Sequence, residues 1–584
     1  MTNFTPITVG AAANASVVNA PLAQLDAAIT ALQAGIGAGG GTANRPWAKI
    51  GGLAQPTSST AVAVTDDITH TGKMVRGATT ITSTGADFES RGNMAIGAGN
   101  HTMNGNESLA VGSQNQAGSF CIVTGQQNLG EGVNSMTLGS NNSNDGYNAL
   151  CGGYLNEIDS DSFYSSILTG QGNNVVNATW GAVIAGIGNE INNSDNSSVS
   201  CGQSNRVIEL SAQTFIGGGQ SNTAFGASVD SFIGSGDNNL LDGSNSAIIG
   251  GSHNSIVADK AFIGTGDHNT TRGANSAVLA GSTNQILTST AAADNSIIGG
   301  GFTNKIDVGS NSLIGSGQNN FINNSAMSSI LGGGTNLIKS AVCAVICGGS
   351  LNEIHGESSG AGNGFIGGGS YHYLGGGGGN AIIGGFSNAV QALNATCLNG
   401  SYNNVGVNGY QSCVGGSNAR ASHQDSFVWN SYVNTEFASG ASGEFAVTSY
   451  GGFRFFTNGA RSTGMTMAAG ASSWTAVSAA ALKGDFRDVE PTSILDRLLS
   501  VPVRTYRYKN GEGGLHDLIN LGPTAEDWDA AFADLLGKKV IVNVEHGQPV
   551  EIPGISEGDK IGVLLAAVQG LYRIVLGRND RTID

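Results

Sequence analysis

From Ala95 to about Asn418 one short phrase returns about 21 times: two apolar residues, one to three small residues rich in glycine, two variable residues, then asparagine. It is plainest in AIIGGSHN (Ala247 to Asn254), AFIGTGDHN (Ala261 to Asn269), NSIIGGGFTN (Asn295 to Asn304) and NSLIGSGQNN (Asn311 to Asn320). The glycine three before each asparagine falls at Gly236, Gly251, Gly266 and Gly281, then at Gly301, Gly317, Gly333 and Gly349, a period of about 15 to 16 residues. That period is too short for a helical pair and lies below the usual range of solenoid repeats. The apolar pair reads as a short strand, the glycines admit backbone conformations closed to other residues, and asparagine tolerates a left-handed turn. The expected fold class is therefore mostly β: a β-solenoid or β-roll with its asparagines stacked in a ladder. At the sheet spacing of about 4.8 Å per coil the array makes a rod on the order of 100 Å long. Coils lined by Ala, Ser, Ile and Val bury little area each, so association into a trimer is expected to bury the rest.

Composition narrows the classes. Charged residues are only 11 % of 584, with 92 glycines, yet hydrophobic residues reach 40 % and come as regular doublets, which excludes a disordered chain. A formal charge of −17 without a basic patch argues against nucleic acid as a partner. The start, MTNFTPITVG, lacks the basic and apolar regions of a secretory signal. No run of about 18 apolar residues occurs, so neither Sec export nor membrane insertion is expected. Cys121, Cys151, Cys201, Cys343, Cys347, Cys397 and Cys413 stand where other copies of the phrase carry Ala, Ile or Val. They read as small buried hydrophobes made in a reducing cytoplasm. The alternative, a disulfide framework or metal site, lacks CxxC or Cys/His spacing, and no metal or other cofactor is expected.

Around the array the chain divides by composition. Residues 1–45 contain a helical pattern at Val17 to Ala34, with Leu22, Leu25, Ile29 and Leu32 on one stripe, and a glycine run at Gly35 to Gly41 that reads as a hinge. Residues 46–93 read as a small β region, 94–420 as the repeat array and 421–477 as a β connector. From Ser478 to Asp584 charged residues rise to about 26 %, against about 8 % before it, which marks a separate α+β domain. Pro491 to Ser500, Ala525 to Leu536 and Ile561 to Val575 have helical spacing, and Val501 to Lys509 alternates like a strand.

The coils resemble the left-handed β-roll head repeats of trimeric autotransporter adhesins and the repeats of phage tail fibres. GGFRFFTNG (Gly451 to Gly459), GASSW (Gly470 to Trp474), VPVRTYRYK, GPTAEDW (Gly522 to Trp528) and GVLLAAVQGLY (Gly562 to Tyr572) resemble, in order, the intramolecular chaperone of the endosialidase tailspike type. SHQDSFVW (Ser422 to Trp429) and EFAVTSYGG (Glu444 to Gly452) resemble the segment that precedes it. The resemblance implies a domain that assembles three chains and then cuts itself off, on the amino side of the serine in a Ser-Asp-Arg-x-Leu-Lys motif. Here the motif reads Ser478-Ala479-Ala480-Ala481-Leu482-Lys483, so the implied cut lies between Val477 and Ser478, with Ser478 as nucleophile and Lys483 as base. Ala479 and Ala480 replace the family's aspartate and arginine, and impaired cleavage is the expectation.

Within the array, Trp180 and the Tyr371-His372-Tyr373 cluster are candidates for stacking on a sugar face. The cluster lies in the irregular stretch Gly356 to Gly379, which reads as a protruding loop. Carboxylates such as Asp159, Asp161, Asp195, Asp237 and Asp267 read as solvated turn residues, although a pair of them at the right separation can hydrolyse a glycosidic bond. His253, His268, His355, His372 and His423 read as surface or turn residues. Together these features point to a phage tail fibre: a homotrimeric receptor-binding protein of the virion, synthesised in the host cytoplasm. Its amino-terminal region would join tail or baseplate proteins, and its rod would bind a host surface glycan or other receptor. The alternatives are a tailspike that degrades polysaccharide, which calls for large insertions between coils, and a trimeric surface adhesin, which calls for a signal peptide and a membrane anchor.

Overall fold

The computed structural model describes residues 47–50, 53–56, 94–102, 107–287, 294–356, 362–507, 519–545 and 548–576. The expected helix at 17–34 and hinge at 35–41 lie outside them. Of the small β region, Trp47–Ile50 and Leu53–Pro56 pair antiparallel. The chain forms two compact units, Met1–Tyr450 and Gly451–Asp584.

One coil of the first unit shows why the phrase folds as it does. In Ala247–Ile248 the side chain of Ile248 points inward and is fully buried, while Ala247 faces out. Gly251 then turns the chain at φ 93°, where an added Cβ would lie 2.1 Å from the carbonyl oxygen of Gly266 in the next coil, so this corner takes glycine alone. Ser252 bridges Asp237 below and Asp267 above. His253 is left-handed at φ 53°, Asn254 turns inward, Ser255–Ile256 forms the second strand, and left-handed Lys260 closes the coil.

Repetition makes three parallel faces. A first ladder of 23 strands runs from Met94–Ala98 to Phe445–Thr448. A second ladder of 22 runs from His101–Thr102 to Phe437–Ala438. The third face is a file of single bridges from Tyr154 to Ser401. Between them stands a thin core, one inward residue from each ladder per coil and in most coils an aliphatic one, such as Ile248 with Ile256 and Ile314 with Ile322, all fully buried; Thr137, Asn144 and Thr271 are among the polar exceptions. The asparagine ladder is present: the backbone N–H of Asn254 donates to Asn239 Oδ1 (3.1 Å), and its Nδ2 donates to the carbonyls of Gly250 (3.0 Å) and Gly266 (2.9 Å). Each asparagine thus satisfies the buried polar backbone of a corner that no sheet reaches.

Three details depart from the expectations. The spacing is less metric than the phrase, with partners 15 residues apart at Ile248 and Ile263 but 20 apart at Val278 and Ile298 and at Ile346 and Ile366. The first ladder continues past 420, so Phe427–Asn430 and Phe445–Thr448 of the expected connector are further coils. Only Cys121, Cys151 and Cys397 are buried, whereas Cys201 and Cys343 are exposed, because they occupy outward and corner positions of their coils. Burial pushes the thiols of Cys151 and Cys397 up to about 12.

The second unit opens with an antiparallel sheet of Phe453–Phe456, Gly464–Met467 and Thr475–Ala476. Helices Pro491–Ser500, Ala525–Leu536 and Glu557–Val575 follow, with a hairpin of Lys539–Glu545 and Gln548–Gly554 before the last. Of the strand expected at Val501 to Lys509, Arg504–Tyr506 forms and pairs with Asn520–Gly522. Ile494, Val501, Trp528, Phe532, Val563 and Ala567 make the core. Gly570 lets the last helix lie against Pro491, whose carbonyl oxygen would stand 2.3 Å from an added Cβ.

Candidate functional site

Ser478 sits two residues beyond the edge strand Thr475–Ala476, held in place by Val477, whose N–H donates to the Gly464 carbonyl (3.0 Å). The chain then makes a single 3₁₀ turn, Ala480–Leu482, with Leu482 N–H on the Ala479 carbonyl and Lys483 N–H on the Ala480 carbonyl. This tight turn returns Lys483 toward its start, and its Nζ donates to Ser478 Oγ at 2.6 Å. The two residues singled out in the sequence are therefore in hydrogen-bond contact, the geometry a nucleophile and its base require. Both are exposed in the single chain. Ala479 is the cap residue of the turn and offers no side-chain hydrogen bond to it.

Residues 478–537 match the family described as the chaperone of endosialidase. The match begins at Ser478 itself and ends at Gly537, so it takes in the serine–lysine pair and the first two helices of the chaperone region, while the hairpin and the helix Glu557–Val575 lie beyond it. No curated protein matches the chain.

The other candidates lie in the first unit. Trp180 is 57 % exposed and stacks on Tyr164 of the coil before, ring centroids 4.6 Å apart and 10° from parallel. Tyr147 adds an edge contact to Tyr164, and Phe163 lies beside it. Tyr164 and Trp180 occupy the left-handed corner that asparagine holds in many coils, at φ 57° and 61°. Bulky side chains are uncommon in that conformation. Beside the stack runs a shallow groove lined by Asp161, Phe163, Asn177, Asn193, Asp195 and Leu210. Asp195 Oδ1 accepts from the Thr179 N–H (2.7 Å), and Asp159 accepts from the Asn177 N–H (3.0 Å), so these carboxylates brace corners of the coil.

Tyr371, His372 and Tyr373 stand on the coil proper instead of a protruding loop. Tyr371 is a left-handed corner, Tyr373 opens the strand Tyr373–Leu374, and His372 is buried in the asparagine file. His372 N–H donates to Asn352 Oδ1 and its Nδ1 accepts from the Asn388 N–H, both at 3.1 Å. Its ring is thus absent from the surface, and of the cluster only the two tyrosines are available to a ligand. The extra residues of that stretch, 357–361, lie outside the described residues.

The structure also assembles His253, Asp267 and His268 at the surface of adjacent coils. The imidazoles stack at 4.6 Å, Asp267 Oδ2 meets His268 Nδ1 at 2.9 Å, and Ser252 Oγ donates to Asp267 Oδ1 at 2.7 Å. The hydrogen bonds from Ser252 and His268 hold the Asp267 carboxyl below its usual range. The signal was present in the sequence, since His253 and His268 are one 15-residue coil apart. Asp237 and Asp267 share one bridge column, two coils apart, as their places in the phrase implied.

Proposed function

We propose that this protein is a phage tail fibre: a homotrimeric rod that carries the virion to the host surface and is folded by its own carboxy-terminal chaperone region. One observation carries the reading, a chaperone-of-endosialidase match joined in one chain to a parallel β-solenoid. The chaperone's last helix supports assembly. One face of Glu557–Val575 buries Val563, Ala567 and Gly570 within the chain, while Ile561, Leu565, Val568, Tyr572 and Val575 are exposed on another. Those five alternate steps of four and three, the spacing of a coiled-coil seam, and two further copies of the helix would cover them.

Receptor binding is assigned to the rod. The Tyr164–Trp180 stack with its acid and amide rim suits a pyranose, whose apolar face lies on aromatic rings while its hydroxyls reach polar groups. Virions lacking this protein are expected to lose adsorption to host cells. Normal adsorption would overturn the proposal, and release of reducing sugar from host polysaccharide by the purified protein would favour a tailspike hydrolase instead.

Maturation is assigned to the serine–lysine pair. With aspartate and arginine restored at 479 and 480, where this chain has alanines that impair the step, Ser478 Oγ attacks the Val477 carbonyl carbon, Lys483 takes the hydroxyl proton and passes it to the departing Ser478 nitrogen, and water hydrolyses the resulting ester. Lysine must be neutral to accept a proton, and desolvation favours its neutral form. Coverage of this exposed pair by neighbouring chains is therefore the condition for the step, which ties the cut to completed assembly.

A further inference from the structure

We infer that the outer face of the first ladder is the surface through which the array packs against two further copies of this chain, an inference that rests on the trimer proposed above. Each strand of that ladder turns two side chains outward, one on either side of its core residue: Ala277 and Leu279 flank Val278, and Phe232 and Gly234 flank Ile233. Through all 23 strands, from Met94 to Val447, these two outward columns contain no Asp, Glu, Lys or Arg. The second ladder has the same alternation and the opposite character. Its outward columns carry Glu190, Arg206, Arg272, Lys305, Asp307 and Lys339, some of them ion-paired, as Arg206 with Glu190 (2.8 Å) and Lys305 with Asp307 (3.2 Å). The third face carries exposed His253, Asp267 and His268.

The uncharged face is also graded in size. As far as Phe365 a phenylalanine in the first column is followed by glycine in the second, as Phe215 with Gly217 and Phe365 with Gly367, whereas Phe427 and Phe445 of the last two strands are followed by Trp429 and Val447; an alanine is followed by Ile or Leu, as Ala247 with Ile249 and Ala381 with Ile383. Most coils therefore present one large apolar residue, about half exposed: Ile249 44 %, Leu279 48 %, Leu331 48 %, Ile383 50 %. Summed along the ladder the exposed apolar area is on the order of 1,000 Å², above the few hundred Å² usual on a monomer and comparable to what one partner gives to a standard interface.

The occupant is a second and third copy for two reasons. A surface repeating at the coil pitch is matched best by another surface of identical pitch. Around a threefold axis parallel to the ladder, each column also meets itself at the same height, where a charged column would repel its own copies. The first ladder alone meets that requirement.

The test uses the full chain with Cys201, Cys343, Cys347 and Cys413 each changed to Ala, which removes the thiols that are not buried. Single cysteines are then placed by Leu279→Cys on the first ladder and Val257→Cys, 40 % exposed, on the second. With a short bis-maleimide, Leu279→Cys should give covalent dimers and trimers on a denaturing gel, and Val257→Cys only single chains. Should Leu279→Cys express poorly, Leu331→Cys reports from the same column three coils on. A particle of trimer mass linked through Val257→Cys, or through neither residue, overturns the face and leaves the trimer standing. A particle of single-chain mass overturns both.

Discussion

At the scale of single residues, His372 shows what the asparagine file demands. Its Nδ1 accepts the Asn388 N–H, which places the ring proton on Nε2, so the imidazole has one N–H to offer at a corner where Asn388 Nδ2 in the next coil reaches two carbonyls, Gly384 and Gly400. Asparagine there would accept the same N–H through Oδ1 and donate Nδ2 to the corner carbonyls, as its neighbours do. Burial also holds the His372 imidazole below its ordinary range, so the folded chain takes up its proton less readily than the unfolded one. That contribution to stability is complete above about pH 6.5, the ordinary imidazole value, and is lost as pH falls below it. His372→Asn should therefore slow amide exchange in the surrounding coils, by about 1 kcal/mol in opening free energy at neutral pH, with a larger gain at pH 5. An equal or smaller gain at pH 5 would contradict this. The same scale governs the cut. An aspartate at 479 would accept N–H groups at the head of the 3₁₀ turn that brings Lys483 to Ser478. The double variant Ala479→Asp, Ala480→Arg should yield fragments of residues 1–477 and 478–584 on a denaturing gel, and Ser478→Ala in that background should not. The serine–lysine contact was legible because a motif fixed both residues. The burial of His372 was not, because a histidine within the irregular glycine-rich stretch Gly356 to Gly379 looks like a surface residue until the hydrogen-bond file is traced through it.

Among the elements, the helices Pro491–Ser500 and Ala525–Leu536 have the limits their apolar spacing predicts, and the last helix begins earlier, at Glu557, where Ser556 accepts from the Asp559 N–H. Caps of this kind are readable in sequence. The hairpin Lys539–Gly554 went unforeseen, although the β-branched run Val540, Ile541, Val542 and Val544 carries the signal. Coil lengths were harder to read, because a residue added at a corner leaves the inward alternation of both strands unchanged. The exposed seam of the last helix is the element with the clearest consequence. Val568→Glu, at a position 62 % exposed in the single chain, should leave the helix itself intact yet abolish the trimer, read as loss of the trimer peak in sedimentation. A variant that sediments as the wild type would remove the seam from the assembly.

At the scale of the whole molecule, the proposed function gives the two units different tasks. A coil cannot bury its outer apolar column alone, and each coil pairs only with its neighbours, so a long array gains most from chains brought together and held in register. The chaperone-of-endosialidase match supplies a device for that, and the charge-free ladder supplies the surface it would bring together. The most direct test is the solution mass of the array made with and without residues 478–584. The full chain should have three times its 58.8 kDa. The chain ending at Val477 should be insoluble or monomeric. A soluble trimer formed by the shortened chain, or a monomeric full-length chain, would contradict the account.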